Sequence, residues 1–177
     1  MLTASTSSDS ALMTEPIELA IVSAGFEDLY LREYPGLIAV ATALSGYDGE
    51  DLVQDAMVRT LANWEKVRRL ERPGGWCHRV LVNLCRSRWR RLLTEARFLS
   101  RLRREEPSTE APSDDVMSFW SAVRELPERQ RLAVALFYAG DRSAVDVARI
   151  LDVPEGTVRS DLTRARSAMV SRMEAEK

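Results

Sequence analysis

Residues 143–162 read SAVDVARILDVPEGTVRSDL, and this stretch decides how the C-terminal part of the chain folds. Val145, Ala148 and Leu151 recur at helical spacing, and the turn residues 152–154 separate them from a second amphipathic run. A helix, a tight turn and a second helix in this register make a helix-turn-helix, which lays its second helix in the major groove of DNA. The alternative is an ordinary helical hairpin with one solvated face.

The second helix of this motif divides its side chains between two faces. On a helical wheel the apolar side chains point inward and small polar ones point outward, with an arginine on either flank. The inward stripe comprises Val158, Leu162, Ala165 and Met169, and the outward face comprises Gly156, Ser160, Thr163 and Ser167 between Arg159 and Arg164. Small hydroxyl groups suit an approach to base edges and arginines suit phosphates, so this helix is predicted to contact duplex DNA.

Asp161 lies to one side of these small polar residues, about 120° from the centre of the outward face. We predict a flank position, in which Asp161 forms an ion pair with Arg164 one turn later. In the alternative, its carboxylate accepts a hydrogen bond from cytosine and Asp161 contributes to base specificity.

Charge is distributed unevenly along the 177 residues, although the net charge is only −2. Residues 1–65 hold 11 acidic and 2 basic side chains, whereas residues 66–104 hold 13 basic and 2 acidic ones. A segment this cationic attracts phosphate, and the acidic segment before it favours a basic partner.

The basic segment is predicted to be a long helix that begins near Trp76, after the break at residues 72–75. One face is apolar and the other carries a basic stripe with an aromatic surface beside it. The stripe comprises Arg79, Asn83, Arg86 and Arg90, with Trp89 and Val82 alongside. Cations interleaved with an aromatic surface are typical of single-strand binding sites, where unpaired bases stack. A solvated arginine face is the alternative.

The acidic segment contains a helix that Asp48 is expected to cap and that runs to about Trp64. Its inward stripe comprises Val53, Ala56, Met57, Thr60 and Trp64, and its outward residues are Asp51, Gln54, Asp55, Val58 and Ala62. An acidic face with apolar side chains is unfavourable against DNA and suits a basic protein surface, so we predict a protein-docking face. An acidic solvated face is the alternative.

The fold class is predicted to be all-α, with two small helical domains, because helical periodicity runs through most of the chain and no strand signal is sustained. Pro35 is expected to kink or restart the helix predicted over residues 26–44. Residues 105–115 are acidic, contain two prolines and lack large apolar side chains, which predicts a flexible linker. The predicted organisation is a tail (1–25), a first domain (26–95), a linker (96–116) and a second domain (117–174).

Three motifs, in this order, resemble those of the extracytoplasmic-function (ECF) sigma factors of bacterial RNA polymerase. They are Asp51-Leu52-Val53-Gln54-Asp55, the helix over residues 76–91, and Leu126-Pro127-Glu128-Arg129-Gln130-Arg131 leading to Glu155-Gly156-Thr157-Val158-Arg159-Ser160. The resemblance covers residues 26–95 and 117–173. It implies a sigma domain 2-like first domain, a sigma domain 4-like second domain, no central domain, and a chain that binds polymerase core and directs promoter recognition.

The resemblance also implies which residues bind each partner. The acidic helix would dock on the β′ clamp helices of core polymerase through Asp51, Gln54 and Asp55, with Val58 on the same face. The basic helix would open and read the minus-ten element of promoter DNA through Arg79, Asn83 and Arg86, with Trp89 and Arg90 alongside. The last helix would contact the minus-thirty-five element through Thr157, Arg159, Ser160, Thr163 and Arg164. Members of this family are often held inactive by an anti-sigma factor.

The sequence argues against an enzyme, a metal site and a cofactor, because it has one histidine, no phosphate-binding glycine loop and no nucleophile with a neighbouring base. Cys77 and Cys85 lie too far apart on one helix for a disulfide, so reduced thiols are expected.

The N-terminus lacks an export signal and no apolar run is long enough to span a bilayer, which predicts a cytoplasmic protein. The main rival is a stand-alone helix-turn-helix regulator, which would need a dimer interface and no acidic docking helix.

Overall fold

Helices account for most of the residues that the structure, a computed structural model, describes: 15–45, 49–102 and 115–175. The N-terminal domain contains α1 (Glu15–Ser45), α2 (Gly49–Ala62), the single-turn α3 (Trp64–Val67) and the long α4 (Pro73–Leu102). The C-terminal domain contains α5 (Asp115–Glu125), α6 (Glu128–Val134) with a π-helical turn following it (Ala135–Ala139), α7 (Ala144–Leu151) and α8 (Glu155–Ala175). No strand occurs within these ranges, and the predicted all-α fold is confirmed.

Helices α1 and α2 approach each other closely because α2 begins with a glycine. A Cβ atom on Gly49 would lie 2.9 Å from the backbone nitrogen of Thr42, which is closer than packed atoms allow. The predicted inward stripe of this region is confirmed, since all its members are buried: Val53, Ala56, Met57, Thr60 and Trp64. Asp48, the predicted cap, lies outside the described residues.

Both long helices extend further than the sequence predicts. Helix α1 starts at Glu15, so residues 15–25 of the predicted tail are helical, and the helix does not restart at Pro35. Proline has no N–H group, so Pro35 cannot donate the usual helical hydrogen bond to the Leu31 carbonyl. Pro35 and Leu31 are both exposed, and water can satisfy that carbonyl instead. Helix α4 starts at Pro73, whose fixed φ suits the first helical position, and runs seven residues past the predicted domain end at 95.

The predicted helix-turn-helix is formed by α7 and α8. Ser143 caps α7 by accepting a hydrogen bond from the Asp146 N–H at 3.2 Å. Asp152 ends the helix in the left-handed conformation (φ 57°), which aspartate tolerates better than most residues. Val145, predicted to point inward, is instead 40% exposed, whereas Val147 and Ile150 are buried. The apolar stripe is rotated from the predicted one because α7 packs against α4 as well as α8.

The two domains pack directly against each other in what we term the closed arrangement. The π-helical turn and α5 lie on α1, and α7 lies on α4. Leu37 and Val40 of α1 belong to the same continuous apolar cluster as Leu136 and Val147 of the C-terminal domain. The predicted linker therefore joins two domains that share one core.

Candidate nucleic-acid interface

The outward face of α2 is exposed, as the sequence predicts. Every predicted docking side chain faces solvent: Asp51, Gln54, Asp55 and Val58. Val58 is 66% exposed, and Leu61, which the helical wheel did not single out, is 47% exposed. Exposed aliphatic groups set among acidic ones have the composition of a protein-binding surface.

The basic face of α4 is partly covered by the C-terminal domain. Arg79 donates a hydrogen bond to the main-chain oxygen of Arg149 in α7. Arg86 forms an ion pair with Glu128 of α6 at 2.9 Å. These two arginines are among the predicted minus-ten residues, and in the closed arrangement they contact protein.

The remaining residues of this stripe differ in exposure. Asn83 and Arg90 are exposed, as predicted. Val82, which was predicted to lie beside the stripe, is only 1% exposed and belongs to the apolar core. The prediction for Val82 is wrong because its side chain joins a core that includes apolar residues of both domains.

Trp89 is half-buried under an arginine of the C-terminal domain. The Arg131 guanidinium carbon lies 4.0 Å from the centroid of the Trp89 ring, which is a cation–π contact. Arg131 is only 6% exposed, donates a hydrogen bond to the main-chain oxygen of Arg124 at 2.8 Å, and has its pKa lowered by burial. The aromatic surface predicted to stack on unpaired bases is therefore occupied by an arginine in the closed arrangement.

The outward face of α8 is available to solvent. Arg159, Thr163 and Arg164 are exposed, and Thr157 and Ser160 are half-buried. Arg159 donates to the Glu155 carboxylate one turn earlier, with its two nitrogens 2.9 and 2.6 Å from the same oxygen. Exposed pairs of this kind are weak, so DNA phosphates can compete for Arg159.

Asp161 does not pair with Arg164. Its carboxylate accepts hydrogen bonds from Arg129 of α6, from Nε at 2.7 Å and from Nη2 at 3.2 Å, and Asp161 is 2% exposed. The predicted pairing of Asp161 with Arg164 is wrong because α6 packs on this side of α8 and places Arg129 there. Both carboxylate oxygens are engaged by Arg129, which leaves Asp161 joining α8 to α6 rather than facing a base.

Glu33, His78 and Arg142 form a buried charged group between the domains, which we term the interdomain cluster. Arg142 Nη2 lies 2.5 Å from Glu33 Oε2 and 2.9 Å from His78 Nε2, and the two acceptors are 3.8 Å apart. The sequence interpretation missed this cluster. Its only sequence signal is a lone histidine beside Cys77 at the start of a helix with an apolar face.

Cys77 and Cys85 are both buried, and neither forms a disulfide with the other. Burial raises the pKa of both thiols, that of Cys85 to about 12, so neither is a ready nucleophile.

In the part of the chain that the structure describes, no group of three or more histidine, cysteine or acidic side chains is placed to hold a metal ion. No helix in the described ranges is long and apolar enough to cross a membrane.

Comparison with known proteins decides the family. The family model described as "Sigma-70 region 2" matches residues 29–93, and "Sigma-70, region 4" matches residues 117–169. The ECF RNA polymerase sigma factor SigM of Mycobacterium tuberculosis is 31% identical over 159 residues, covering 81% of this chain and 74% of the relative. The chain belongs to the ECF sigma factors. EcfG of Rhodopseudomonas palustris is 32% identical over 148 residues, covering 80% of this chain and 81% of the relative.

Two solved structures share the fold. The sigma factor RpoE of Bartonella quintana, in complex with the anti-sigma factor NepR, aligns with a TM-score of 0.69 and 26% identity, covering 86% of this chain and 99% of that one. CnrH, in complex with the cytosolic domain of CnrY, aligns with a TM-score of 0.60 and 21% identity, which shows a shared fold. This ECF sigma factor thus binds RNA polymerase core and directs promoter recognition and transcription initiation by sequence-specific DNA binding.

Proposed function

We propose that this ECF sigma factor docks on the β′ clamp helices of core polymerase through the outward face of α2. One observation carries the proposal: one side of α2 is buried, and the exposed side of α2 carries both acidic and apolar side chains. Asp51, Gln54 and Asp55 supply polar contacts, and Val58 with Leu61 supplies apolar area that a partner would cover. Negative charge on this face steers it toward a basic protein groove and away from DNA.

The basic face of α4 is proposed to read the minus-ten element once the domains separate. Arg79, Arg86 and Arg90 would contact phosphates, because a guanidinium matches phosphate geometry. Asn83 would hydrogen-bond an unstacked base, and Trp89 would stack on another. The first domain, residues 26–95, would carry both this surface and the docking face.

Helix α8 is proposed to enter the major groove at the minus-thirty-five element. Thr157, Ser160 and Thr163 would present hydroxyl groups toward base edges, whereas Arg159 and Arg164 would flank them and bind phosphates. The Asp161–Arg129 pair would fix the orientation of α8 relative to α6. The second domain, residues 117–174, would carry this surface, and residues 96–116 would join the two domains.

The proposal extends to location, partners and chemistry. The sigma factor would act in the cytoplasm, where polymerase is, and would have no catalytic site of its own. The Bartonella quintana relative was solved with an anti-sigma factor, which supports a partner of that kind for this chain.

Run-off transcription on genomic DNA fragments tests the proposal. Reactions would contain core polymerase alone, the chain alone, or both, and duplex binding by the chain alone would be measured in parallel. We expect discrete transcripts from a shared promoter motif only when both proteins are present, with poor duplex binding by the chain alone. Tight, sequence-specific duplex binding by a dimer of this chain, without transcripts, would support the rival regulator instead.

A further inference from the structure

The interdomain cluster joins two helices of the N-terminal domain to one segment of the C-terminal domain. Glu33 lies on α1 and His78 on α4, whereas Arg142 follows the π-helical turn of the C-terminal domain. The side chains of Glu33 and His78 are 7% and 0% exposed, and that of Arg142 is 25% exposed. A charged group at this depth is strongly disfavoured if its partner leaves, so the cluster couples the positions of the two domains.

Its protonation state follows from its geometry. Because Arg142 can only donate, His78 Nε2 must accept, which places the ring proton on Nδ1 and leaves the histidine neutral. Burial and the Arg142 charge lower the pKa of His78 to about 4. Burial alone would raise the pKa of Glu33, but the Arg142 charge and hydrogen bond, with a further hydrogen bond from Arg32, hold it below its usual value. The cluster is therefore one carboxylate and one guanidinium bridged by a neutral imidazole.

Gly74 leaves room for the Glu33 carboxylate at the first turn of α4. A Cβ atom on Gly74 would overlap that carboxylate, lying 2.7 Å from Oε2. A negative charge is favoured at this end of a helix, because the unpaired backbone N–H groups carry partial positive charge. The glycine therefore lets α4 hold Glu33 where Arg142 can reach it.

The cluster is not fully satisfied by hydrogen bonds. His78 Nδ1 and Arg142 Nε are buried and have no hydrogen-bond partner among the residues that the structure describes. A buried donor without a partner costs free energy, because it has lost its hydrogen bond to water. Opening of the domains would hydrate both donors and so offset part of the cost of breaking the ion pair. This combination of a strong pair and two unsatisfied donors suits a contact that forms and releases.

The closed arrangement covers one functional face and leaves the other open. Arg79, Arg86 and Trp89 contact the C-terminal domain, whereas the docking residues of α2 are exposed. Core polymerase could therefore dock on the closed chain, but minus-ten DNA would compete with the C-terminal domain for the same side chains.

We propose that Glu33, His78 and Arg142 form a latch that holds the C-terminal domain over the minus-ten surface of the free sigma factor. Release of the latch frees Arg79, Arg86 and Trp89 from their contacts with the C-terminal domain without changing the docking face of α2. The assignment of those three residues to DNA rests on the proposed function, whereas the latch itself does not.

Pulsed electron paramagnetic resonance between the domains tests the latch without DNA or polymerase. Spin labels would be placed on cysteines introduced at the exposed positions Lys66→Cys and Ala168→Cys. The native cysteines are buried with raised pKa values and react slowly at neutral pH. In the otherwise unchanged chain we expect one narrow distance distribution.

Three variants of the labelled chain decide the outcome. Arg142→Ala should shift the distribution to longer, broader distances, because Glu33 loses its buried partner. Gly74→Ala, which removes no charged group, should also shift it by displacing the Glu33 carboxylate. Arg149→Ala is the matched control and should leave the distances unchanged, since the Arg149 side chain pairs with Asp146 of its own helix and Arg79 binds the main-chain oxygen of Arg149.

A DNA arm separates this inference from the proposed function. If about one molecule in ten of the wild-type chain is open, Arg142→Ala should bind a labelled mixed-sequence single-stranded oligonucleotide about tenfold more tightly. An open Arg142→Ala without tighter binding would support the latch and count against the minus-ten assignment. Wild-type distances in both Arg142→Ala and Gly74→Ala, with native circular dichroism, would overturn the latch. Should Arg142→Ala not fold, the Gly74→Ala distances alone decide.

Discussion

The faces of α2 and α4 lie in the same small domain but differ in how they meet the rest of the molecule. The docking face of α2 is open, with Val58 and Leu61 at the surface, whereas on α4 Trp89 and Arg86 contact the other domain. Helical periodicity determines which side of a helix turns away from its own domain. Periodicity does not determine whether a second domain covers the side of the helix that faces outward. On α4 the C-terminal domain covers part of that side.

The largest expected effect is at the open face. Gln54→Ala combined with Asp55→Ala should weaken association with core polymerase by at least about tenfold, because truncation of a few central interface residues removes most of the binding energy. A pull-down with purified core measures this loss. Asp28→Ala, another exposed acidic residue of the same domain, is the control for charge alone.

Unchanged core affinity in the double variant, with a native circular dichroism spectrum, would remove α2 from the docking interface. Equal weakening by Asp28→Ala would mean that the overall negative charge of the domain, rather than the α2 face, attracts core.

Acid should uncover the covered face of α4. Burial and Arg142 lower the pKa of His78 to about 4, and an exposed histidine has a pKa of about 6.5. The open chain then binds the proton more tightly, so closure is fully favoured above about pH 6.5 and is lost progressively as the pH falls toward 4. Glu33, whose pKa is also lowered in the closed chain, acts in the same direction at the lower end of this range.

The interdomain distance distribution, measured from pH 7 to pH 4.5, checks this expectation. The ratio of open to closed molecules should rise by up to about tenfold per pH unit within that window. His78→Gln cannot titrate and should flatten the dependence above pH 5. A pH-independent distribution in the wild-type chain would show that His78 does not change its surroundings on opening.

Asn83 tests the part of the α4 face that stays exposed. Asn83→Ala should reduce promoter melting several-fold while changing closed-complex binding little, because an amide can hydrogen-bond an unstacked base and the neighbouring arginines mainly contact phosphates. Permanganate reactivity of unpaired thymines reports melting, and filter binding reports the closed complex. Equal losses in both measurements would show that Asn83 contributes to general DNA affinity and does not recognise an unpaired base.

The smallest effect is expected at the rim of the interdomain contact. Arg72 pairs with Asp146 across the domains, but the Arg72 side chain is 53% exposed. Exposed pairs contribute about 0.2–1 kcal/mol, so Arg72→Ala should move the interdomain distances far less than Arg142→Ala does. If Arg72→Ala opened the chain as much as Arg142→Ala, the rim rather than the buried cluster would hold the domains.

Much of the fold follows from local sequence rules. Apolar periodicity identified the inward stripe of α2, and the Asp152-Val153-Pro154 turn identified the boundary between α7 and α8. These features depend on residues a few positions apart, which a helical wheel can represent. The bounds of α1 and α4 were less predictable, because both helices continue through segments whose composition resembles a tail or a linker.

The errors in the candidate site share one physical cause. Asp161 is bound by Arg129 of α6, Val82 belongs to a core that both domains share, and α7, which carries Val145, packs on α4 as well as α8. A wheel drawn for one helix contains no information about these neighbours. Arg129 lies 32 residues from Asp161, and Arg142 lies 109 residues from Glu33. Such pairs become visible only when the packing of the domains is known.

Hydroxyl-radical footprinting of the free chain tests most directly whether the α2 face is open while the α4 face is covered. Oxidation of Trp89 and Val58 would be quantified by mass spectrometry in the wild-type chain and in Arg142→Ala. We expect Trp89 to be protected in the wild type and reactive in the variant, with Val58 equally reactive in both. Trp89 as reactive in the free wild-type chain as in Arg142→Ala would contradict the closed arrangement.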